Sequence, residues 1–305
     1  MILLKSKNID NYVSKIEDWT VLPKNPIVTV QIPTYNHELF IRKALDSVLE
    51  QRVDFDYEIL IREDDSSDKT REIVLEFQKK YPNKFRVWLA KKNLKRQGVL
   101  LGLNRFARGK YLAKLDGDDY WTDPYKLQKQ FNFMQNNRDC TLVFHLANKI
   151  NTKNKVIGFH GPKTKLDQCF FDIKDAIFKC DILVPTNSMF FETKYLENLP
   201  NWFIKAPVGD LPLTLLLAHH GKLGFINEVM SNYRVMSQGS WSREFIKLNQ
   251  KRKIHDQRIR AMFKGFDTWT DYKYTRKIRR FLFIKRLYIL RREIKLRLSS
   301  FNLGN

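Results

Sequence analysis

Apolar residues recur in this chain at two periods that take turns. Val28, Val30 and Ile32 occupy every second position before Pro33, as in a strand, and Ile41, Ala44, Leu45, Val48 and Leu49 then return at helical spacing. The order repeats. Tyr57 to Ile61 predicts a second strand and Thr70 to Tyr81 a helix carrying Ile73, Val74 and Phe77. Phe85 to Leu89 predicts a third strand, with a helical stretch running on to Ala107, and Tyr111 to Leu115 a fourth. Strands alternating with helices imply an α/β fold with a mostly parallel sheet covered on both faces, and ligands at the strands' C-terminal ends. After Trp121, Thr122 or Asp123 is placed to cap a helix with Pro124 at its first position, where a missing N–H is harmless. Beyond it the pattern loosens into short strand-like pieces at Leu142 to His145 and Met189 to Phe191, a helix near Leu211 to His219, and a last strand-like run from Val229 to Arg234. At the far end Phe281, Ile284, Leu287, Tyr288, Ile294 and Leu298 fall on one broad helical stripe, interrupted by Arg291.

Charge changes the picture at that end. The 305 residues carry 55 Lys+Arg against 33 Asp+Glu, a formal +22. From Trp241 to Asn305 there are 19 basic and 5 acidic residues, so +14 of the excess lies in the tail. A basic amphipathic tail reads either as a solvated face of helices packed back on the body or as a docking element for an anionic membrane surface. Nucleic acid is not an expected partner, because no helix-turn-helix, zinc-finger or RNP-type pattern accompanies the charge. The most apolar late segment, Phe281 to Leu290, is broken by Lys285 and Arg286, and Met1 to Asn8 has no secretory pattern. The expectation is a cytoplasmic chain, peripheral on the inner face of the cell membrane. Cys140, Cys169 and Cys180 are spaced for neither a disulfide framework nor a zinc site, and are expected to be reduced.

Candidate chemistry collects where ligands should bind. The first strand is followed by Pro33-Thr34-Tyr35-Asn36, the second by Glu63-Asp64-Asp65-Ser66-Ser67-Asp68, and the fourth by Asp116-Gly117-Asp118-Asp119. Three carboxylates in four residues repel one another, a cost that a divalent cation with phosphate removes, and oxygen ligands of this kind suit Mg²⁺ or Mn²⁺. In extended chain Asp116 and Asp118 face the same way, so both can address one metal and its diphosphate. No P-loop, no Gly-x-Gly-x-x-Gly after the first strand and no His-Glu-x-x-His is present. His219-His220 reads as a surface pair at a helix end, and His145 as a core histidine.

The run Val28 to Trp121 resembles the nucleotide-binding half of family 2 glycosyltransferases, which have the GT-A fold. The matching pieces are Val-Gln-Ile-Pro-Thr-Tyr-Asn, Glu-Asp-Asp-Ser-Ser-Asp-Lys-Thr, Ala-Arg-Gly-Lys-Tyr and Asp-Gly-Asp-Asp-Tyr-Trp, in that order. They continue through Thr122-Asp-Pro-Tyr-Lys-Leu-Gln-Lys-Gln, Pro185-Thr-Asn-Ser, Gly209-Asp-Leu-Pro-Leu and Tyr233-Arg-Val. The resemblance covers about 210 residues and spares the tail. It implies a GT-A catalytic domain over 26–240, split into a nucleotide-binding half (26–121) and an acceptor half (122–240). An N-terminal segment (1–25) precedes it and a basic helical region (241–305) follows.

The resemblance also implies roles. Tyr35, beside Pro33, would stack on uracil, and Glu63 stands where the family has an Asp that accepts from the base's ring N–H. Asp116 and Asp118 correspond to the metal and diphosphate site, with Asp119 serving the ribose or its neighbours. Asp210 stands at the general base, and Arg234 is a candidate diphosphate clamp. Met236 replaces a His that many relatives carry, and a thioether is a poor ligand for Mg²⁺ or Mn²⁺. The implied activity is metal-dependent, inverting transfer from a UDP-sugar to a glycan or lipid-linked acceptor in cell-surface polysaccharide or glycolipid synthesis. The rivals are an inactive nucleotide-sugar-binding regulator and a nucleotidyltransferase.

Overall fold

The computed structural model describes residues 12–94, 106–163, 169–180, 182–235 and 249–301, with side chains in the last stretch described over 254–288 and at Arg291. The first half builds a sheet in the expected order. β2 (Val28–Thr34) leads to helix α1 (Ile41–Leu49), β3 (Tyr57–Glu63) to α2 (Thr70–Lys80), and β4 (Phe85–Ala90) is followed by β5 (Tyr111–Lys114). β4, β3, β2 and β5 lie side by side and parallel. The helical stretch expected before Ala107 falls mostly outside the described residues. β1 (Val13–Ile16) joins this sheet as an antiparallel edge strand on β4, so part of the N-terminal segment belongs to the sheet.

The second half is mixed rather than parallel. β10 (Phe190–Glu192) runs antiparallel between β5 and β7 (Cys140–Ile150), and β11 (Lys222–Arg234) lies parallel to β7. Short strands complete it: β6 (Tyr120–Trp121) and β9 (Phe170–Phe171) on β11, and β8 (Val156–His160) on β7. β7 and β11 are longer than their apolar patterns suggest. Asn148, past the expected end of β7, is satisfied by donating to Asn232 across the strands at 2.9 Å, and β11 begins well before Val229, with an irregularity in its pairing between Ile226 and Val229. α3 (Lys126–Asn136) starts two residues after Pro124, not at it: the Asp123 carboxylate accepts the Tyr125 N–H at 2.8 Å and closes a turn before the helix begins.

Side chains alternate between two cores. Tyr111, Ala113, Val143 and Phe190 face α1, α2 and α3, while Leu112, Leu142, Phe144 and Phe191 face the opposite side. That second core is covered by α4 (Ile173–Phe178), α5 (Asn201–Ile204), α6 (Asp210–His220) and two long helices, α7 (Asn249–Trp269) and α8 (Thr275–Phe301). Ile259, Met262, Phe263 and Phe266 of α7, with Tyr274 and Ile278, are buried in it. Gly265 lets α7 approach closely, since a Cβ there would meet the Trp202 Cβ at 2.5 Å. His219 is not a free surface residue: its Nδ1 lies 3.2 Å from the Tyr274 hydroxyl and its ring packs on Trp269. His145 is buried as expected, and all three cysteines are free thiols.

The basic region therefore begins as core. Phe266→Ala should lower unfolding free energy in urea by about 3–5 kcal/mol, the usual cost of deleting a fully buried aromatic ring. A loss well under 1 kcal/mol would mean that α7 does not anchor on the body.

Candidate active site

The carboxyl ends of β2, β3 and β5 meet, and hydrogen bonds stitch their loops together. Asn36, in the left-handed region at φ 53°, receives a hydrogen bond on Oδ1 from Ser67 N–H at 2.9 Å and donates its own N–H to Ser66 Oγ at 3.0 Å. His37 N–H donates to Thr70 Oγ1 at 2.8 Å. Loop two is thereby locked to loop one, with Tyr35 and Pro33 half-exposed on the near side.

Glu63, expected to meet the base, has partners within the protein. It is fully buried; Oε1 accepts the Ser66 N–H at 2.6 Å and Oε2 the Arg71 Nε at 2.5 Å. Its longer arm braces the loop that follows β3.

The Asp116 to Asp119 turn is closed by Asp119 N–H to the Asp116 carbonyl at 3.0 Å, and pinned to the first loop by Gly117 N–H to the Pro33 carbonyl at 3.1 Å. Gly117 is required by contact: a Cβ would come within 2.6 Å of Thr34 Oγ1 and 2.9 Å of His37 Nδ1. Asp119 lies 1% exposed, with Oδ1 accepting the Arg234 backbone N–H at 2.7 Å and Oδ2 the Asn187 Nδ2 at 3.0 Å. Asn187 is itself held by Ser231 Oγ.

Arg234, the candidate diphosphate clamp, is also engaged within the protein. Its guanidinium is buried and donates from Nε to the Asp118 carbonyl, from Nη1 to the Asn151 carbonyl and from Nη2 to Asn154 Oδ1, each at 2.9 Å. It holds the acidic turn in place from behind. Met236 lies outside the described residues.

Asp210 is the first residue of α6, one place inside the cap position held by Gly209, and its Oδ1 accepts the Leu211 N–H at 2.8 Å. A helix N-terminus favours a carboxylate. Its charge reaches the turn: burial pushes the Asp116 carboxyl up to about 7, helped by repulsion from Asp118 and Asp210 and opposed by Lys114. Burial and the charges of Asp118 and Asp116 raise Asp119 as well. Burial together with the four carboxylates Asp119, Asp116, Asp118 and Asp210 raises the Tyr233 hydroxyl above its ordinary value. The structure thus brings Asp116, Asp118, Asp119 and Asp210 into one field.

His37 was not singled out by the sequence pattern. Its ring is nearly buried, and Nε2 stands 4.0 Å from Asp118 Oδ2, too far for a hydrogen bond. Its place four residues after Pro33 at a strand end was the available signal. Asn187, inside the quoted Pro-Thr-Asn-Ser, is the second residue whose role was missed.

Among the described residues no three His, Cys, Asp or Glu side chains are assembled as a metal site. Asp116 and Asp118 nevertheless fit a hard divalent cation as oxygen ligands whose mutual repulsion it would relieve, provided that a diphosphate supplies the remaining ligands.

The fold and sequence both have known counterparts. A protein of Mycobacterium tuberculosis named only as uncharacterised is 29% identical over 242 residues, which cover 78% of this chain and 66% of that protein. This chain therefore spans slightly less than two thirds of that relative. The minor teichoic acid biosynthesis protein GgaB of Bacillus subtilis is 26% identical over 73% of this chain and 24% of its own length. In structure, S. aureus TarS 1–349 in complex with UDP-GlcNAc superposes with a TM-score of 0.58 at 14% identity, covering 78% of this chain and 66% of that 1–349 chain. The mannosyltransferase PcManGT of Pyrobaculum calidifontis, in complex with GDP-Man and Mn²⁺, does so with a TM-score of 0.55 at 18% identity, covering 81% and 67%. These likenesses establish a GT-A fold. The sequence model described as Glycosyl transferase family 2 matches residues 29–194, more than half of the chain, and the protein belongs to that family.

Proposed function

We propose that the protein transfers a sugar from a UDP-sugar to a hydroxyl of a glycan or lipid-linked acceptor, with inversion, in the synthesis of cell-surface polysaccharide or glycolipid. The observation that carries this reading is the gathering of Asp116, Asp118 and Asp119 in one turn at the strand ends with Asp210 in reach of their charge; burial first, and then repulsion from Asp118 and Asp210, pushes the Asp116 carboxyl up to about 7. A purely structural turn has no use for such repulsion. A nucleotide diphosphate with Mn²⁺ or Mg²⁺ has, and the relatives in complex with UDP-GlcNAc, and with GDP-Man and Mn²⁺, support that pairing. The GgaB likeness supports an acceptor in surface-polymer synthesis.

In this reading Asp118 and Asp116 hold the cation, and Asp119, committed to Arg234 N–H and Asn187, keeps their turn in shape. What the cation supplies when bound is neutralisation of the charge on the departing diphosphate. Tyr35 and Pro33 form the wall for the base, and the loop braced by Glu63 its floor. Asp210 accepts the proton of the acceptor hydroxyl as its oxygen attacks the anomeric carbon and the bond to the diphosphate breaks.

Asp118→Asn should abolish transfer, and EDTA should silence the native protein until Mn²⁺ is returned. Full turnover of a donor panel in EDTA would refute metal dependence. Asp210→Asn keeps the side-chain shape without the basicity, so UDP binding by calorimetry should stay near normal while transfer falls about 10²-fold or more. Collapse of UDP binding along with transfer would make Asp210 a binding or structural residue.

Asp116 gives a pH signature. A carboxyl whose folded pKa is raised to about 7 binds its proton better folded than unfolded, so its own contribution to ligand-free stability is full at low pH and is lost as pH rises from about 4 through 7. Asp116→Asn removes that loss. It should raise the melting temperature of the ligand-free protein more at about pH 8 than at about pH 5, while destroying transfer. An equal shift at both pH values would deny the strain.

A further inference from the structure

We propose that the outward face of α8 docks on an anionic lipid bilayer surface. The helix carries two stripes of the same spacing. Tyr274, which leads into it, and Ile278, Phe281, Leu282 and Lys285 sit at i, i+4, i+7, i+8 and i+11, and the four apolar members pack on the second core. Arg280, Ile284, Leu287, Tyr288 and Arg291 repeat that spacing six residues later, which turns the second stripe about 120° around the helix. Its apolar members are uncovered among the described residues: Ile284, Leu287 and Tyr288 are exposed, the last at 68%, with Phe283 at 62% beside them, while the Arg280 guanidinium lies 6.0 Å from the Phe178 ring. The stripe that the sequence suggests as one surface is therefore two, with Phe281 on the inner one. Ile294 and Leu298 lie outside the described side chains.

One helix thus offers an anchored apolar face and a free one, and the free one is rimmed by Arg276, Arg280 and Arg291, all exposed. Charge selects the occupant. A second copy would set this arginine rim, in a tail of net +14, against its own like. An anionic bilayer accepts both parts: apolar side chains enter the headgroup boundary while the arginines meet lipid phosphates. No described helix is long and apolar enough to cross a membrane, so α8 would lie on the surface. Such docking would account for the inner-face, peripheral location expected from sequence, and it is independent of the catalytic reading.

The test uses the full chain with phosphatidylcholine vesicles, with and without phosphatidylglycerol. The protein should sediment with the anionic vesicles at low salt and be released as salt rises. Arg276→Glu with Arg291→Glu should weaken binding by roughly fivefold or more per exchange. Ile284→Ser, Leu287→Ser and Tyr288→Ser together should abolish sedimentation at an unchanged melting temperature. Should the triple variant misfold, Tyr288→Ser alone, at the most exposed position, should still lower affinity measurably. Equal binding to neutral vesicles, or full binding by the folded triple variant, would overturn the proposal. So would lipid-free self-association that the triple variant removes, since it would make this face an interface between copies.

Discussion

The geometry of the site hangs on one buried carboxylate. Asp119 is shut away from water, where an ionised group is costly unless its oxygens are met by donors. Both are: Oδ1 by the Arg234 backbone N–H and Oδ2 by the Asn187 amide. Those partners lie on β11 and just before β10, so satisfying this one side chain ties the end of the nucleotide half to two strands of the acceptor half. Arg234 completes the clasp by donating Nε to the carbonyl of Asp118. With turn and strand locked together, Asp116 and Asp118 are held near each other despite their repulsion. The fold thus stores at the strand end an electrostatic cost that a bound cation and diphosphate would relieve.

A second buried network does for the sheet what the first does for the site. Glu58, on β3 and fully buried, accepts from Thr29 Oγ1 at 2.8 Å, Arg86 Nη1 at 3.1 Å and Arg108 Nε at 2.7 Å. Gly109 beside it leaves no room for a side chain, because a Cβ would sit 2.4 Å from the Thr29 nitrogen. The Ala-Arg-Gly-Lys-Tyr segment that signals the family in the sequence is therefore a structural clamp. It fixes the entry of β5 between its neighbours, and so the point at which Asp116 emerges. A motif marks a family for either reason, and only the contacts tell which.

Legibility in the sequence followed the range of the forces. β2 to β5, α1 and α2 were readable because alternating Val and Ile, and apolar residues at three and four, are local patterns. Asp116 and Asp118 could be proposed because strand ends in such sheets are where ligands bind, whereas Asp210, at a helix start, came only from the family resemblance. Glu63 and Arg234 have partners that the pattern does not expose: Glu63 has Arg71 on the following helix, and Arg234 a carbonyl 116 positions away. β7 was partly hidden because Asn148, whose amide is met by Asn232 across strands, looks like a strand's end, and β11 because the irregularity between Ile226 and Val229 splits it into two short runs. The tail was half legible. Its basic, amphipathic character is local, but which stripe is buried depends on α4 and α5, which the tail's own sequence does not reveal.

α6 joins these parts. Its eleven residues, about 16 Å of helix, carry Asp210 at the active-site end and His219 and His220 at the other. The far end is packed by Tyr274 and Trp269, residues of the tail. Between them Leu211, Leu213, Leu215, Leu216 and Leu217 are all buried, so the helix is apolar around its whole girth and has no solvent face on which to slide. A helix buried on all sides is positioned by whatever closes over it, and here α7 and α8 contribute to that closure. The basic tail is therefore part of what holds the proposed base in register with Asp116. Removing it entire would disturb α6 before it tested any role at a membrane, and only the outward stripe of α8 can be altered without touching that support.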